Sequence, residues 1–90
     1  MRPTVAPRTW ALTITGFAFD PDTPSIHVGD TIRVTNKDPD AHTFTAKNGS
    51  FDTGQLPQNR TATLRFTKAG VFDVVCSNHS TMTGQVIVSA

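Results

Sequence analysis

The residues able to do chemistry crowd into one stretch, Cys76-Ser77-Asn78-His79-Ser80-Thr81-Met82. It holds the single cysteine, one of three histidines and one of two methionines in the 90-residue sequence. A thiolate, an imidazole and a thioether so close together form a soft donor set, rich in sulfur and nitrogen, suited to a redox-active metal. Two intervening residues return His79 to the side of Cys76, and two more bring Met82 round. One loop cannot surround an ion and also exclude water, so a further ligand must come from elsewhere. His42 fits that need: in His42-Thr43-Phe44-Thr45-Ala46 it shares a face with Phe44, and a face carrying a core phenylalanine points inward.

Two imidazoles and a thiolate in a trigonal set, with a weak axial thioether, make the blue-copper electron-transfer arrangement. Cu(I) prefers few, soft ligands and Cu(II) prefers more nitrogen. A site held between the two changes little when an electron moves, which keeps the reorganisation barrier low. The expected ligands of one copper ion are therefore His42, Cys76, His79 and Met82. Each has a bland alternative, since a lone buried cysteine is usually a small core hydrophobe and a lone methionine a gap-filler. The four in register favour the metal. Thr43 and Ser77 each follow a ligand, and a hydrogen bond between them would tie the two ligand segments together. The Ala41 carbonyl is a candidate distant contact opposite Met82. His79 lies on a surface loop, so its ring edge is the expected electron port, with Pro39, Leu56 and Pro57 as an apolar rim. His27 has outward parity and reads as a surface residue. Asp38, Asp40 and Asp52 are irregularly spaced and read as solvated loop charges.

The frame around these groups reads as strands. Trp10, Leu12 and Ile14 alternate with Ala11, Thr13 and Thr15, which marks a half-buried strand with Trp10 in the core. Phe17 and Phe19 share a face beyond Gly16, and Ile26 and Val28 point inward on the next strand. Ile32 and Val34 bury while Arg33 faces water, and Ala62, Leu64 and Phe66 repeat that pattern. Phe72, Val74 and Cys76 share one face, so the thiol points indoors. Val86 and Val88 close the chain. The long aperiodic stretch from Lys47 to Arg60 carries the turn signal Asn48-Gly49. At most one helical turn, near Thr81, is expected. Seven to eight short strands at regular spacing predict an all-β Greek-key sandwich or small barrel.

Composition narrows the function classes. Ninety residues allow one domain, expected over residues 9–90 after a disordered tail or linker over 1–8. The net charge of +1 argues against nucleic acid as a partner. No apolar run approaches the ~18 residues of a membrane helix, and Met1 to Arg8 has no signal-peptide core. Glutamate and tyrosine are absent, and helix formers are scarce.

The chain resembles the cupredoxins, and within them the plastocyanin-like group with amicyanin, pseudoazurin and halocyanin. The resemblance rests on Asp40-Ala41-His42-Thr43, Phe51-Asp52-Thr53-Gly54, Ala69-Gly70-Val71-Phe72 and the Cys76–Met82 stretch, closed by Gly84-Gln85-Val86; Val28-Gly29-Asp30-Thr31-Ile32 matches an early strand. It implies a type 1 copper electron carrier, outside the cytoplasm in the periplasm or secreted, monomeric, with transient redox partners docking near His79. Where the family often has proline after the second histidine, this chain has Ser80. Proline has no N–H and serine does, so Ser80 is expected to give the Cys76 sulfur a second donor beside Thr43. A copper store with the same ligands and a metal-free β-sandwich interaction module stand as alternatives. An enzyme is disfavoured: His27 is the one spare histidine, too few ligands for a second metal centre, and an inward thiol suits no Cys-His hydrolase.

Overall fold

The computed structural model describes residues 6–90, so residues 1–5 of the expected tail lie outside the described residues. The chain forms eight strands and, among the described residues, no helix. They are β1 (Thr9–Thr15), β2 (Ala18–Asp20), β3 (Ser25–His27), β4 (Thr31–Asn36), β5 (Thr45–Ala46), β6 (Thr61–Arg65), β7 (Gly70–Cys76) and β8 (His79–Ser89). Two four-stranded sheets result, in the orders β2-β1-β4-β6 and β3-β8-β7-β5. Both are mixed, because β1 runs parallel to β4 and β3 parallel to β8.

The alternating apolar residues of the two sheets meet in one core. Leu12, Ile14, Ile32 and Val34 come from the first sheet, and Ile26, Val74, Val86 and Val88 from the second. Phe19, Phe44, Phe66, Leu56, Cys76 and Met82 complete the cluster.

Three alternation-based expectations fail, each for a local reason. Trp10 is 37% exposed. Its indole N–H would be unsatisfied inside the core; at the rim it donates to Asp30 Oδ2 at 3.0 Å, with the Arg8 guanidinium 5.9 Å over the ring. Val28 is exposed because β3 ends at His27, and the chain already turns through Gly29 at φ 96°. Phe17 does not share the inward face of Phe19. Gly16 and Phe17, at φ 60° and 57°, form the two-residue turn between β1 and β2, and Phe17 projects from it.

The β7–β8 hairpin sets up the ligand stretch. Gly70 to Val75 pair regularly with Val88 to Thr83, and the register then shifts between Val75 and Cys76 so that Cys76 faces His79. The turn is only Ser77 and Asn78, and Ser80, Thr81 and Met82 are extra residues bulged out of β8. The helical turn expected near Thr81 is therefore a bulged strand. A bulge sharpens the local twist and re-aims side chains.

Gly84 shows how tightly this hairpin is held. A Cβ there would lie 2.5 Å from the Asp22 carbonyl oxygen, which accepts the Gln85 N–H at 2.9 Å. Gly84→Ala must push the Asp22–Pro24 crossing off β8. Overpacking of this kind costs about 1–3 kcal/mol. Denaturant unfolding should show that loss; an unshifted midpoint would mean the crossing yields freely.

Candidate metal centre

Three segments converge at one end of the sandwich. His42 follows β4 after a short loop and pairs with Leu56, with N–H···O bonds of 3.1 and 2.8 Å in the two directions. Cys76 ends β7 and His79 begins β8. The ligating atoms of His42, Cys76 and His79 lie within 4.8 Å of one another. Each histidine turns Nδ1 to the Cys76 sulfur at 3.7 Å, and the rings sit 4.9 Å apart between centroids. His42 and Cys76 are buried and His79 is half-buried. Met82 is buried in the same apolar cluster as Cys76.

The surroundings fix these groups. The Thr43 N–H donates to the Cys76 sulfur at 3.4 Å. The Ser77 N–H donates to Thr43 Oγ1 at 2.8 Å, and the two hydroxyls are 3.2 Å apart. Thr45 Oγ1 lies 2.9 Å from both Thr43 Oγ1 and Asp52 Oδ1. It has one proton, and the carboxylate can only accept. Asp52, exposed as expected, thus ends a hydroxyl chain that begins beside the ligands.

Ser80 does not play the role expected of it. It lies exposed on the bulged part of β8, and among the described residues the sulfur accepts its one N–H bond from Thr43. The Ala41 carbonyl accepts the Asn78 side-chain N–H at 2.9 Å. Asn78 exchanges further hydrogen bonds with Gln55, at 2.7 and 3.0 Å. The turn between Cys76 and His79 is in this way fastened to the loops before His42 and before Leu56.

Two contributors escape the sequence reading. The first is Asp38, which is buried, with its carboxylate 2.9 Å from His42 Nε2. An ionised carboxylate only accepts, so Nε2 carries the proton and Nδ1 is left free for a metal. Burial alone would push the Asp38 carboxyl up. The N–H groups of Phe17 and Gly16 and the His42 ring outweigh it and hold the carboxyl below its ordinary range. The second is Phe17, whose ring stands edge-on to His42 at 5.2 Å and to His79 at 5.0 Å. The four-residue spacing from Asp38 to His42 was the one available signal for the first. Nothing in the sequence pattern announced the second.

The cupredoxin-like domain family matches residues 4–88, almost the whole chain. The chain belongs to the cupredoxin family. Solved structures agree on the fold. An oxidised amicyanin variant is 22% identical over 89% of this chain and 81% of its own, with a TM-score of 0.83. A reduced Cu(I) amicyanin variant at pH 4 is 26% identical over 94% and 86%, with a TM-score of 0.82. The copper-containing nitrite reductase of Thermus scotoductus SA-01 is 24% identical with a TM-score of 0.86; it covers 99% of this chain, which spans 24% of that one. No curated protein matches the sequence. Copper is the cofactor this cupredoxin's donors fit. A buried thiol and two imidazole nitrogens form a compact triangle, and a hydrogen-bonded carboxylate fixes the tautomer of one ring.

Proposed function

We propose that this cupredoxin is a small electron carrier that passes single electrons between redox proteins outside the cytoplasm. The observation that carries the reading is the convergence of His42 Nδ1, Cys76 Sγ and His79 Nδ1 at one half-open end of the sandwich. His42, Cys76, His79 and Met82 would hold the ion. A bound copper ion supplies a one-electron Cu(I)/Cu(II) couple with strong electronic coupling through the thiolate.

The remaining work belongs to the chain. Cys76 is held with its sulfur indoors by β7 and by the Thr43 N–H. The Asn78–Gln55–Ala41 amide bonds and the Thr43–Ser77 bonds restrain both ligand segments. Such restraint keeps the ligands in place in both oxidation states, which keeps reorganisation small. His79 is the half-buried ligand and the natural electron port. Of the expected rim, Leu56 is buried while Pro39 and Pro57 are exposed, and Phe17, 49% exposed, adds apolar surface beside the histidines. A small, weak interface suffices for transient redox partners, and a monomer is consistent with this use. A carrier is favoured over an enzyme because the described residues bring together one such three-donor cluster.

Electron self-exchange separates carrier from store. In mixtures of Cu(I) and Cu(II) protein, NMR line broadening should report exchange that rises with protein concentration. Exchange too slow to broaden any resonance would leave copper storage as the function.

A further inference from the structure

We infer that Asp38 is a positioning residue for this centre, a clamp that sets the tautomer of His42 and aims Phe17 at both histidines. The inference rests on the copper reading above for its redox consequence only.

One carboxylate serves two segments that are distant in sequence. Asp38 Oδ1 accepts the Gly16 N–H at 2.8 Å, and Oδ2 accepts the Phe17 N–H at 2.8 Å. Oδ2 also lies 2.9 Å from His42 Nε2. The clamp has a fixed base. The Asp38 N–H donates to Asn36 Oδ1 at 2.9 Å, and fully buried Asn36 donates to the carbonyls of Asp40 and Leu56 at 2.8 and 2.7 Å.

The backbone of the turn is where the clamp shows its purpose. Phe17 stands at φ 57°, a left-handed conformation that a bulky side chain rarely takes. Such strain persists only where the surroundings over-determine it, and it gathers at functional sites. Here two successive N–H groups form a concave anion-binding nest, and the Asp38 carboxylate fills it. Held this way, the Phe17 ring packs edge-on against the rings of His42 and His79. The same oxygen that anchors Phe17 accepts the hydrogen bond of His42 Nε2–H. The position of the apolar cap and the donor strength of His42 Nδ1 are therefore set by one group. A charged acceptor on the far nitrogen makes Nδ1 a stronger donor, which favours Cu(II) over Cu(I).

The metal-free wild-type protein gives the first test. Long-range nitrogen–proton spectra should show His42 with its proton on Nε2; a proton on Nδ1 overturns the clamp. That measurement needs no variant and no copper. In Asp38→Asn, which keeps the size and removes the charge, amide exchange at Gly16 and Phe17 should quicken. Unchanged protection there overturns the clamp as well. Cu(II) affinity of that variant should fall about 10–100-fold, the usual effect of losing a partner of a metal-bound histidine. Cu(I) affinity should fall less. A tenfold difference between the two losses is a rise in reduction potential of about 59 mV; equal losses contradict the inference. A wild-type protein that takes up no copper would refute the proposed function and leave the tautomer result to judge the clamp alone.

Discussion

Asp30→Asn is expected to destabilise the protein by about 1.5–3 kcal/mol near neutral pH, since hydrogen bonds to a buried charge are among the stronger kind. That is a large part of the roughly 5–15 kcal/mol that holds a domain together. The Asp30 carboxylate joins three elements at the end of the sandwich. Oδ1 accepts the Arg8 N–H at 2.9 Å, and Oδ2 accepts the His27 N–H and the Trp10 indole N–H, both at 3.0 Å. The loss should also depend on pH. Burial pushes the Asp30 carboxyl up, but the N–H groups of Arg8 and His27, the Trp10 indole and the His27 ring together hold it below the ordinary carboxylate range. A carboxyl lowered in the folded state contributes stability above its unfolded pKa and loses it as pH falls through the folded one. The difference between wild type and Asp30→Asn should thus be constant from neutrality to about pH 5 and shrink below about pH 4. Urea titrations across that range measure it, and a difference that grows in acid would show that the sign is wrong.

Copper loading should have an effect at least as large. A ligand that binds only the folded state stabilises it by about 4 kcal/mol when free ligand stands at a thousand times Kd. For a domain of this size that is a rise in Tm of roughly 15–30 °C. Removing the metal with a chelator should reverse the rise, and Cys76→Ser should abolish most of it while costing the metal-free protein little. Calorimetry with and without Cu(II) decides this. Equal stabilisation of wild type and Cys76→Ser would place the ion somewhere other than between His42, Cys76 and His79.

The fold and the meeting of ligands were legible for a simple reason. Period-two alternation is a local property, and it carries through Phe72, Val74 and Cys76 on β7 to fix which way the thiol points. The inward parity of His42 beside Phe44 works equally well, and both prove fully buried. What alternation could not reach is what depends on a turn. Phe17 leaves the inward face because two positive-φ residues reverse the chain there. Asp38 reads as a solvated loop charge until the β1–β2 turn arrives to supply its two N–H donors. Ser80 lies exposed on the bulge after His79, and the Cys76 sulfur accepts its N–H bond from Thr43 instead. Phe17 and Ser80 are placed by local breaks in the alternation, and Asp38 by contacts to residues far away in sequence, which no spacing rule encodes.

The proposed function requires that Cys76 and the two histidines hold one copper ion in a redox-active site. Titrating Cu(II) into the metal-free protein while recording the visible spectrum tests it most directly. An intense blue band from thiolate-to-copper charge transfer is expected, saturating at one ion per chain, bleaching reversibly with one electron, and missing in Cys76→Ser. A colourless product, or a band of equal strength in Cys76→Ser, would contradict it.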